Sequence, residues 1–509
     1  MPILLLLLLS ALISLAQQPE VDKIFSSFNT HTPGCSVGVS QAGKVVFTAG
    51  YGMADLERNV PIGPGTVFES GSLAKQFTAA ALMLLEQQGK ISLDDKFAKY
   101  LPELTGATAA ITIRQVISHV SGIREWRPIA TFAGRPEGTY VYTNQDLLDL
   151  ASRQKALNFD AGTAYSYSNT GYNIATILIE RVLGNGQTFQ QFTTENILAP
   201  LGMTHSRWRD DFRALVPSRA LAYGTNKEGG LQQMTPIEKI IGAGGLLTTV
   251  SDLLKWNENF VHATVGGNAL VTMQQKPTVL IGGRKISYAA GLRVTKSDGL
   301  NEVAHSGATG GYRTWLGRYP EKAVSVAVLC NSAQANPTIL GRETARLWTG
   351  ATIPDPTRNA MELGPIVGLY RKVRDNTVLD FDTKAGKALL VSGRDWRLTT
   401  TGLILATEDG DIQFEKTTRW TPTASDLSKL AGSYTSTETA STLVLSLTKD
   451  SALTLAIANG TKLSLSPTFR DAFSTPEGSI LFRRDSAGNV VELSIGDDRV
   501  WDLRFKKVN

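Results

Sequence analysis

The chain is poor in cysteine. Its 509 residues hold two, Cys35 and Cys330, and five histidines. Neither cysteine has a C-x-x-C partner and no histidine cluster surrounds them, which argues against a structural zinc site. Nothing implies a metal or another cofactor. Charge is sparse: 19% of residues are charged, the net charge is +5, and no long Lys/Arg run occurs. A nucleic-acid partner therefore has no electrostatic footprint. The glycine turn Gly242-Ala243-Gly244-Gly245 is followed by no lysine in P-loop spacing and preceded by no strand. It reads as close backbone packing and not as a phosphate loop. Beyond the first 16 residues no apolar stretch reaches membrane-spanning length.

What is present describes an ordinary globular protein, 42% hydrophobic and long enough for two or three domains. Residues Pro2 to Ala16 are uncharged and include the run Leu4 to Leu9. Small residues at Ser14 and Ala16 precede Gln17. This is the pattern of a secretory signal peptide over residues 1–16, although its first residues carry no Lys or Arg. The expectation is a mature protein that is secreted or periplasmic, with no integral membrane span.

The most telling stretch is Phe68-Glu69-Ser70-Gly71-Ser72-Leu73-Ala74-Lys75-Gln76-Phe77. A long apolar run to Leu85 follows and ends at Gly89. It predicts a buried helix with Ser72 at its N-terminal end and Gly89 as its stop. Ser72 and Lys75, three apart, share a face of the first turn. A serine hydroxyl needs a base before it becomes a good nucleophile. A lysine serves as that base once burial or nearby positive charge lowers its pKa. The helix N-terminus disfavours a cation and welcomes an oxyanion.

Cys35 to Ser40 and Lys44 to Ala49 alternate around Gln41-Ala42-Gly43, a β-hairpin. Ile111 to Gly122 predicts a helix, and His119 a buried histidine bracing the loop after it. Ile123 to Val141, with Trp126, Phe132 and Tyr140, reads as a loop that could roof a cleft. Thr143 caps a helix with Asp146 three residues on. Tyr167-Ser168-Asn169 falls on a loop before the helix Ile174 to Leu183; its phenol and carboxamide can point into one cleft. Ser251-Asp252 caps a helix from Leu253 to Phe260. His305-Ser306-Gly307-Ala308 precedes a strand Tyr312 to Tyr319, and a further strand runs Val324 to Cys330. Asn336-Pro337 opens a helix through Trp348.

Ser72-Leu73-Ala74-Lys75, Tyr167-Ser168-Asn169 and His305-Ser306-Gly307 occur in that order. The triple resembles the serine β-lactamase and penicillin-binding protein superfamily, in particular its class C β-lactamase, DD-peptidase, esterase and D-aminopeptidase branch. Pro33-Gly34, Ile117 to Gly122 and Gly244-Gly245-Leu246 fit the same branch. The resemblance spans Gln17 to about Gly350. It implies an α/β (α+β) fold, an antiparallel sheet flanked by helices with a helical subdomain over the cleft. It further implies Ser72 as nucleophile and Lys75 with Tyr167 as base and acid. Asn169 would orient the substrate amide, His305 and Gly307 would line the far wall, and the N–H groups of Ser72 and Ala308 would form the oxyanion hole. His305 departs from the lysine that many members carry there. In that place its charge would change near pH 6.5. The family's first and last strands are antiparallel neighbours, which would set Cys35 within disulfide reach of Cys330. Two buried free thiols are the favoured expectation.

Thr352 to Pro356 reads as a linker. Beyond it Gly368-Leu369-Tyr370 recurs as Gly432-Ser433-Tyr434, and Ala388-Leu389 recurs at the same offset as Ala452-Leu453. Gly410 to Phe414 resembles Gly478 to Phe482. This predicts a duplicated antiparallel β unit, barrel-like, packed beside the cleft with no catalytic constellation. The layout is similar to D-aminopeptidases with two small β-barrels. The expected domains are 1–16 signal peptide, 17–350 serine hydrolase, 351–423 first β unit and 424–509 second, lipocalin-like β unit. The function expected is a secreted serine hydrolase acting through a Ser72 acyl-enzyme on a small-molecule or short-peptide amide or ester. D-amino acid peptidase, esterase and true β-lactamase are its variants. A ligand-capturing sensor without turnover is the alternative of another class.

Overall fold

A computed structural model of the chain describes residues 17–352, 366–381, 395–448, 450 and 452–508. The expected signal peptide, the core of the expected linker and the Ala388-Leu389 repeat lie outside the described residues.

Six antiparallel strands form the main sheet: β1 (Cys35–Gln41), β2 (Lys44–Tyr51), β3 (Arg293–Ser297), β4 (Leu300–Thr309), β5 (Tyr312–Tyr319) and β6 (Val324–Cys330), in the order β3-β4-β5-β6-β1-β2. The β6 run, apolar at every position but Ser325, is buried on both faces, as such runs require. Val324, Val326, Val328 and Cys330 pack with Val21, Phe25 and Trp348. Ala327 and Leu329 face the opposite way, into the cluster that holds Phe77 and Leu254. Helices therefore cover both sides. Cys35 stands directly opposite Cys330 in the β1–β6 register, and the two are joined as a disulfide with their Cα atoms 4.0 Å apart. That corrects the free-thiol expectation: direct opposition sets the pair at bonding distance.

The helices that position the site are α1 (Ala74–Gln87), α2 (Ile113–Ile117), α3 (Trp126–Phe132), α4 (Asn144–Ser152), α5 (Asn169–Leu183), α6 (Val250–His262) and α7 (Pro337–Thr349). Every residue of α1 from Ala74 to Met83 is buried. Gly89 (φ +68°) ends it in the left-handed conformation that glycine adopts freely. Thr143 and Asp146 form the expected capping box of α4. Five boundaries differ from the sequence reading. Helix α2 spans only Ile113–Ile117 and stops short of Gly122. The segment Ile123 to Val141 contains helix α3. Helix α5 starts at Asn169, with Ser168 at its N-cap, and not at Ile174. Thr249, not Ser251, caps α6 by accepting from the Asp252 N–H. His305 lies inside β4 and not on an approach to a strand.

Two further β structures follow. Five described strands between Gly368 and Thr417 form one sheet, and eight strands between Gly432 and Val508 close into a barrel. Leu443, Leu455, Leu493 and Phe505, all buried, fill the barrel interior as a core. The repeat motifs open corresponding strands. Gly368 and Gly432 begin the first strand of each unit at φ +131° and +141°, and Gly410 and Gly478 stand at +135° and +122°.

Candidate active site

Ser72 sits in a 3₁₀ turn, Gly71–Leu73, that leads directly into α1. This turn is pressed against β4. A Cβ on Gly71 (φ +53°) would stand 2.7 Å from the Ala308 nitrogen, and one on Gly307 would stand 2.9 Å from the Ser72 nitrogen. Only glycine fits at both places, and the fit sets the N–H groups of Ser72 and Ala308 alongside one another. Thr314 Oγ1 donates to the Ser70 carbonyl at 2.7 Å and fixes the other side of the turn.

Lys75 is fully buried. Its Nζ lies 3.1 Å from Ser72 Oγ, 2.7 Å from Asn169 Oδ1 and 2.8 Å from the Ala243 carbonyl. Burial pushes its pKa well below the usual lysine range; Arg499 and Arg127 add to that, and Glu125 opposes it. A neutral amine has two hydrogens and one lone pair. The Asn169 and Ala243 oxygens take the two hydrogens, which leaves the lone pair for the Ser72 hydroxyl. The face of the Tyr167 ring covers Nζ at 4.8 Å. Burial pushes the Tyr167 phenol up to about 12, a hydrogen bond with Ser72 holding it lower than burial alone would. The site thus pairs an amine poised to accept a proton with a phenol that keeps its own.

Asn169 is held from behind by Glu125. Its N–H donates to Glu125 Oε2 at 2.6 Å and its Nδ2 to Oε1 at 2.8 Å. The carboxylate fixes the amide orientation, oxygen toward Lys75, and leaves one N–H of the amide without a partner inside this set. Arg127 Nη1 donates to the same Oε1 at 3.2 Å.

His305 lines the cleft, but as a neutral wall. The Ser168 N–H donates to His119 Nδ1 at 3.2 Å. His119 Nε2–H then donates to the Tyr288 hydroxyl at 3.1 Å, and that hydroxyl donates to His305 Nε2 at 3.1 Å. The remaining His305 Nδ1–H meets the Ser306 carbonyl at 2.6 Å. Every ring nitrogen is used with both imidazoles uncharged. Burial pushes His305 down to about 3, with the nearby Lys75 adding to it. The expectation of a charge change near pH 6.5 is therefore corrected: a buried imidazole with both nitrogens occupied is not a stand-in for a lysine ammonium. His119 is the buried brace the sequence suggested.

The C-terminal units enter the site, which corrects the reading of them as packing alone. In the barrel, the turn before the last strand brings Arg499 over the Tyr167 ring, 4.9 Å from its centroid. Its backbone is pinned to the catalytic domain. The Arg499 carbonyl accepts from Asn158 Nδ2 at 2.8 Å and from the Glu125 N–H at 3.4 Å. Buried Arg124 donates to Glu438 Oε2 at 2.6 Å and to the Asp502 carbonyl at 2.7 Å. From the first unit, Asp409 pairs with Arg293 at 2.6 Å, and Arg293 Nη2 donates to the Tyr165 hydroxyl at 3.1 Å. Both Arg293 and Arg499 line the same cleft of about 850 Å³ as Ser72, Tyr167 and His305.

The structure brings together all seven residues singled out in the sequence: Ser72, Lys75, Tyr167, Asn169, His305, Gly307 and Ala308. Sequence reasoning missed Glu125, the Ala243 carbonyl, Tyr288, Arg293 and Arg499. A carbonyl leaves no side-chain signal. Arg499 stands in a turn more than 300 residues from Tyr167, and only closure of the barrel reveals it.

Known proteins resemble this chain in sequence and in fold. The family model described as Beta-lactamase matches residues 21–347. A D-aminopeptidase of Cereibacter sphaeroides is 28% identical over 430 residues, 81% of each chain. A D-aminopeptidase of Brucella canis is 25% identical over 522 residues, 94% of this chain and 96% of that one. Among solved structures, the octameric penicillin-binding protein homologue from Pyrococcus abyssi covers 97% of this chain and 99% of its own at 21% identity, with a TM-score of 0.59. A D-amino acid amidase from Ochrobactrum anthropi SV3 covers 65% of this chain and 97% of its own at 21% identity, with a TM-score of 0.54. At those identities the structural likeness speaks for the fold.

Proposed function

This chain belongs to the β-lactamase family, and on that footing we propose that it is an exported serine hydrolase that opens amide or ester bonds through an acyl-enzyme on Ser72. Short D-amino acid peptides and amides are its first substrate class and esters its second. The observation that carries the reading is the contact set of Lys75 Nζ, with two fixed carbonyl acceptors and the nucleophile hydroxyl at 3.1 Å.

In this proposal Lys75 takes the Ser72 proton as Oγ bonds to the substrate carbonyl carbon. The N–H groups of Ser72 and Ala308 receive the oxyanion. Tyr167, kept protonated by burial, gives its proton to the leaving amine or alkoxide as the carbon–leaving-group bond breaks, and is reprotonated from Lys75. Water, deprotonated through the same pair, then opens the ester on Ser72 and returns the proton to Oγ. The free N–H of Asn169 meets the substrate amide carbonyl. The names of the relatives support D-amino acid substrates. Arg499, whose guanidinium reaches the cleft, supports substrates that carry a carboxylate away from the scissile bond. The neutral His305 wall weakens the β-lactamase reading, because an uncharged imidazole stands where many family members hold that carboxylate with lysine. Export is supported by the signal-like residues 1–16 and by the buried Cys35–Cys330 disulfide, which an oxidising compartment would preserve.

A panel of D-alanyl and L-alanyl p-nitroanilides, p-nitrophenyl acetate and nitrocefin tests the reading. Turnover of the D-anilide above the L-anilide supports it, and nitrocefin as the best substrate would replace it with a true β-lactamase. A fluorophosphonate adduct without turnover of anything in the panel would favour the ligand-capturing alternative.

A further inference from the structure

We propose that Glu125 is a positioning residue for the base, acting through the Asn169 amide, and that the C-terminal barrel holds Glu125 in place. The proposal rests on the hydrolase reading above and concerns a carboxylate that none of the sequence motifs contains.

The chain of contacts runs from the barrel to the nucleophile. Glu438 and the Asp502 carbonyl grip Arg124, and the Arg499 carbonyl accepts the backbone N–H of Glu125. Glu125, itself buried, grips Asn169 by two hydrogen bonds, and Asn169 Oδ1 takes one hydrogen of Lys75. The carboxylate matters because it can only accept. A glutamine at 125 would bring its NH₂ against the Asn169 NH₂ or surrender one of the two bonds. Either Asn169 flips, which turns an N–H toward the Lys75 lone pair in competition with Ser72, or it loosens. In both cases the lone pair is no longer reserved for the Ser72 hydroxyl.

The same carboxylate is the anionic group facing Lys75. The other groups around the amine are the cations Arg127 on α3 and Arg499 on the barrel turn, the phenols Tyr167 and Tyr172, and the uncharged His119 and His305. Removing the negative charge leaves the cations unopposed, so Lys75 holds a proton less well. The acid limb of kcat/KM, which reports the loss of a proton from the base, must then move to lower pH even as the plateau falls. A residue that merely stabilised the fold would lower activity without moving the limb in that direction.

The experiment is the pH profile of kcat/KM for p-nitrophenyl acetate in the full chain and in three variants. For Glu125→Gln we expect kcat to fall about 10- to 100-fold, as for loss of a well-placed proton-transfer geometry, with the acid limb lower by about one pH unit. For Glu125→Asp, which keeps the charge and loses reach, we expect a smaller fall and an unmoved limb. For Glu438→Gln, on the barrel and outside the cleft, we expect kcat to fall several-fold with KM little changed. Thermal unfolding of each variant separates misfolding from misplacement. If Glu125→Gln folds and shows the unmodified limb and kcat, the positioning role is overturned. If Glu125→Gln unfolds, Glu125→Asp with full kcat and an unmoved limb still overturns it, and a reduced kcat supports it. An unchanged kcat in Glu438→Gln overturns the barrel's part. If the unmodified chain neither turns over the ester nor is acylated, the hydrolase reading has failed.

Discussion

Arg499 and Tyr167 meet face to cation, the guanidinium carbon 4.9 Å from the ring centroid, although they belong to different parts of the chain. On the same ring lies the Lys75 ammonium or amine at 4.8 Å. One phenol therefore meets both the buried base and a cation delivered by the C-terminal barrel, and the catalytic domain without the barrel would lack that cation.

Arg499→Met should raise the acid limb of kcat/KM, the opposite sign to Glu125→Gln. Removing a positive charge lets Lys75 keep its proton to higher pH. Because Arg499 is exposed, water and salt screen its effect, and a shift of less than about one pH unit is expected at low ionic strength, shrinking as salt is added. The same variant should lose about tenfold in kcat/KM for a D-dipeptide with a free carboxylate and much less for its amide. Equal losses for both substrates would remove Arg499 from carboxylate recognition.

His305 should leave no trace in the physiological pH range. With its pKa pushed down to about 3, it is uncharged throughout pH 6 to 8. Glu238, which also lines the cleft, is pushed up to about 7 by burial, so the test is made in Glu238→Gln. There the ratio of kcat/KM for an anionic over a neutral substrate, which cancels the shared base, should be flat between those values. A ratio that climbs several-fold toward pH 6 would show that the imidazole does gain a proton, contrary to its hydrogen bonds with Tyr288 and Ser306.

The Cys35–Cys330 disulfide should leave no thiol to titrate in the denatured, unreduced protein, and two after reduction. It closes a loop of most of the catalytic domain, so its loss should cost about 2–5 kcal/mol of that domain's stability. Two reactive thiols before reduction would exclude the bridge.

The legible parts of this protein were the local ones. Ser72 and Lys75 are one helical turn apart, and a run with no polar face announced that their helix is buried. The stretch Val324 to Cys330 gave its strand without error, because burial on both faces leaves it apolar at every position but the small, buried Ser325. The start of α5 was misplaced because Asn169, Gly171 and Tyr172 look like loop residues. Asn169 tolerates the first turn because Glu125 takes its N–H, a partner more than 40 residues away. His305 was given a charge because an isolated histidine in a motif carries no sign of Tyr288 and His119 behind it. Arg499 carries no local signal at all. Its turn, Asp497-Asp498-Arg499, reads as an ordinary polar connection until the barrel closes and docks.

Covalent labelling at Ser72 tests the central claim most directly. The unmodified chain is treated with a fluorophosphonate, digested and analysed by mass spectrometry, beside Ser72→Ala and Lys75→Ala. The adduct is expected on the peptide that contains Ser72, absent from Ser72→Ala, and formed about 100-fold or more slowly in Lys75→Ala, the range for a general base. An adduct that persists in Ser72→Ala, or a labelling rate in Lys75→Ala equal to that of the unmodified chain, would contradict the assignment of nucleophile and base.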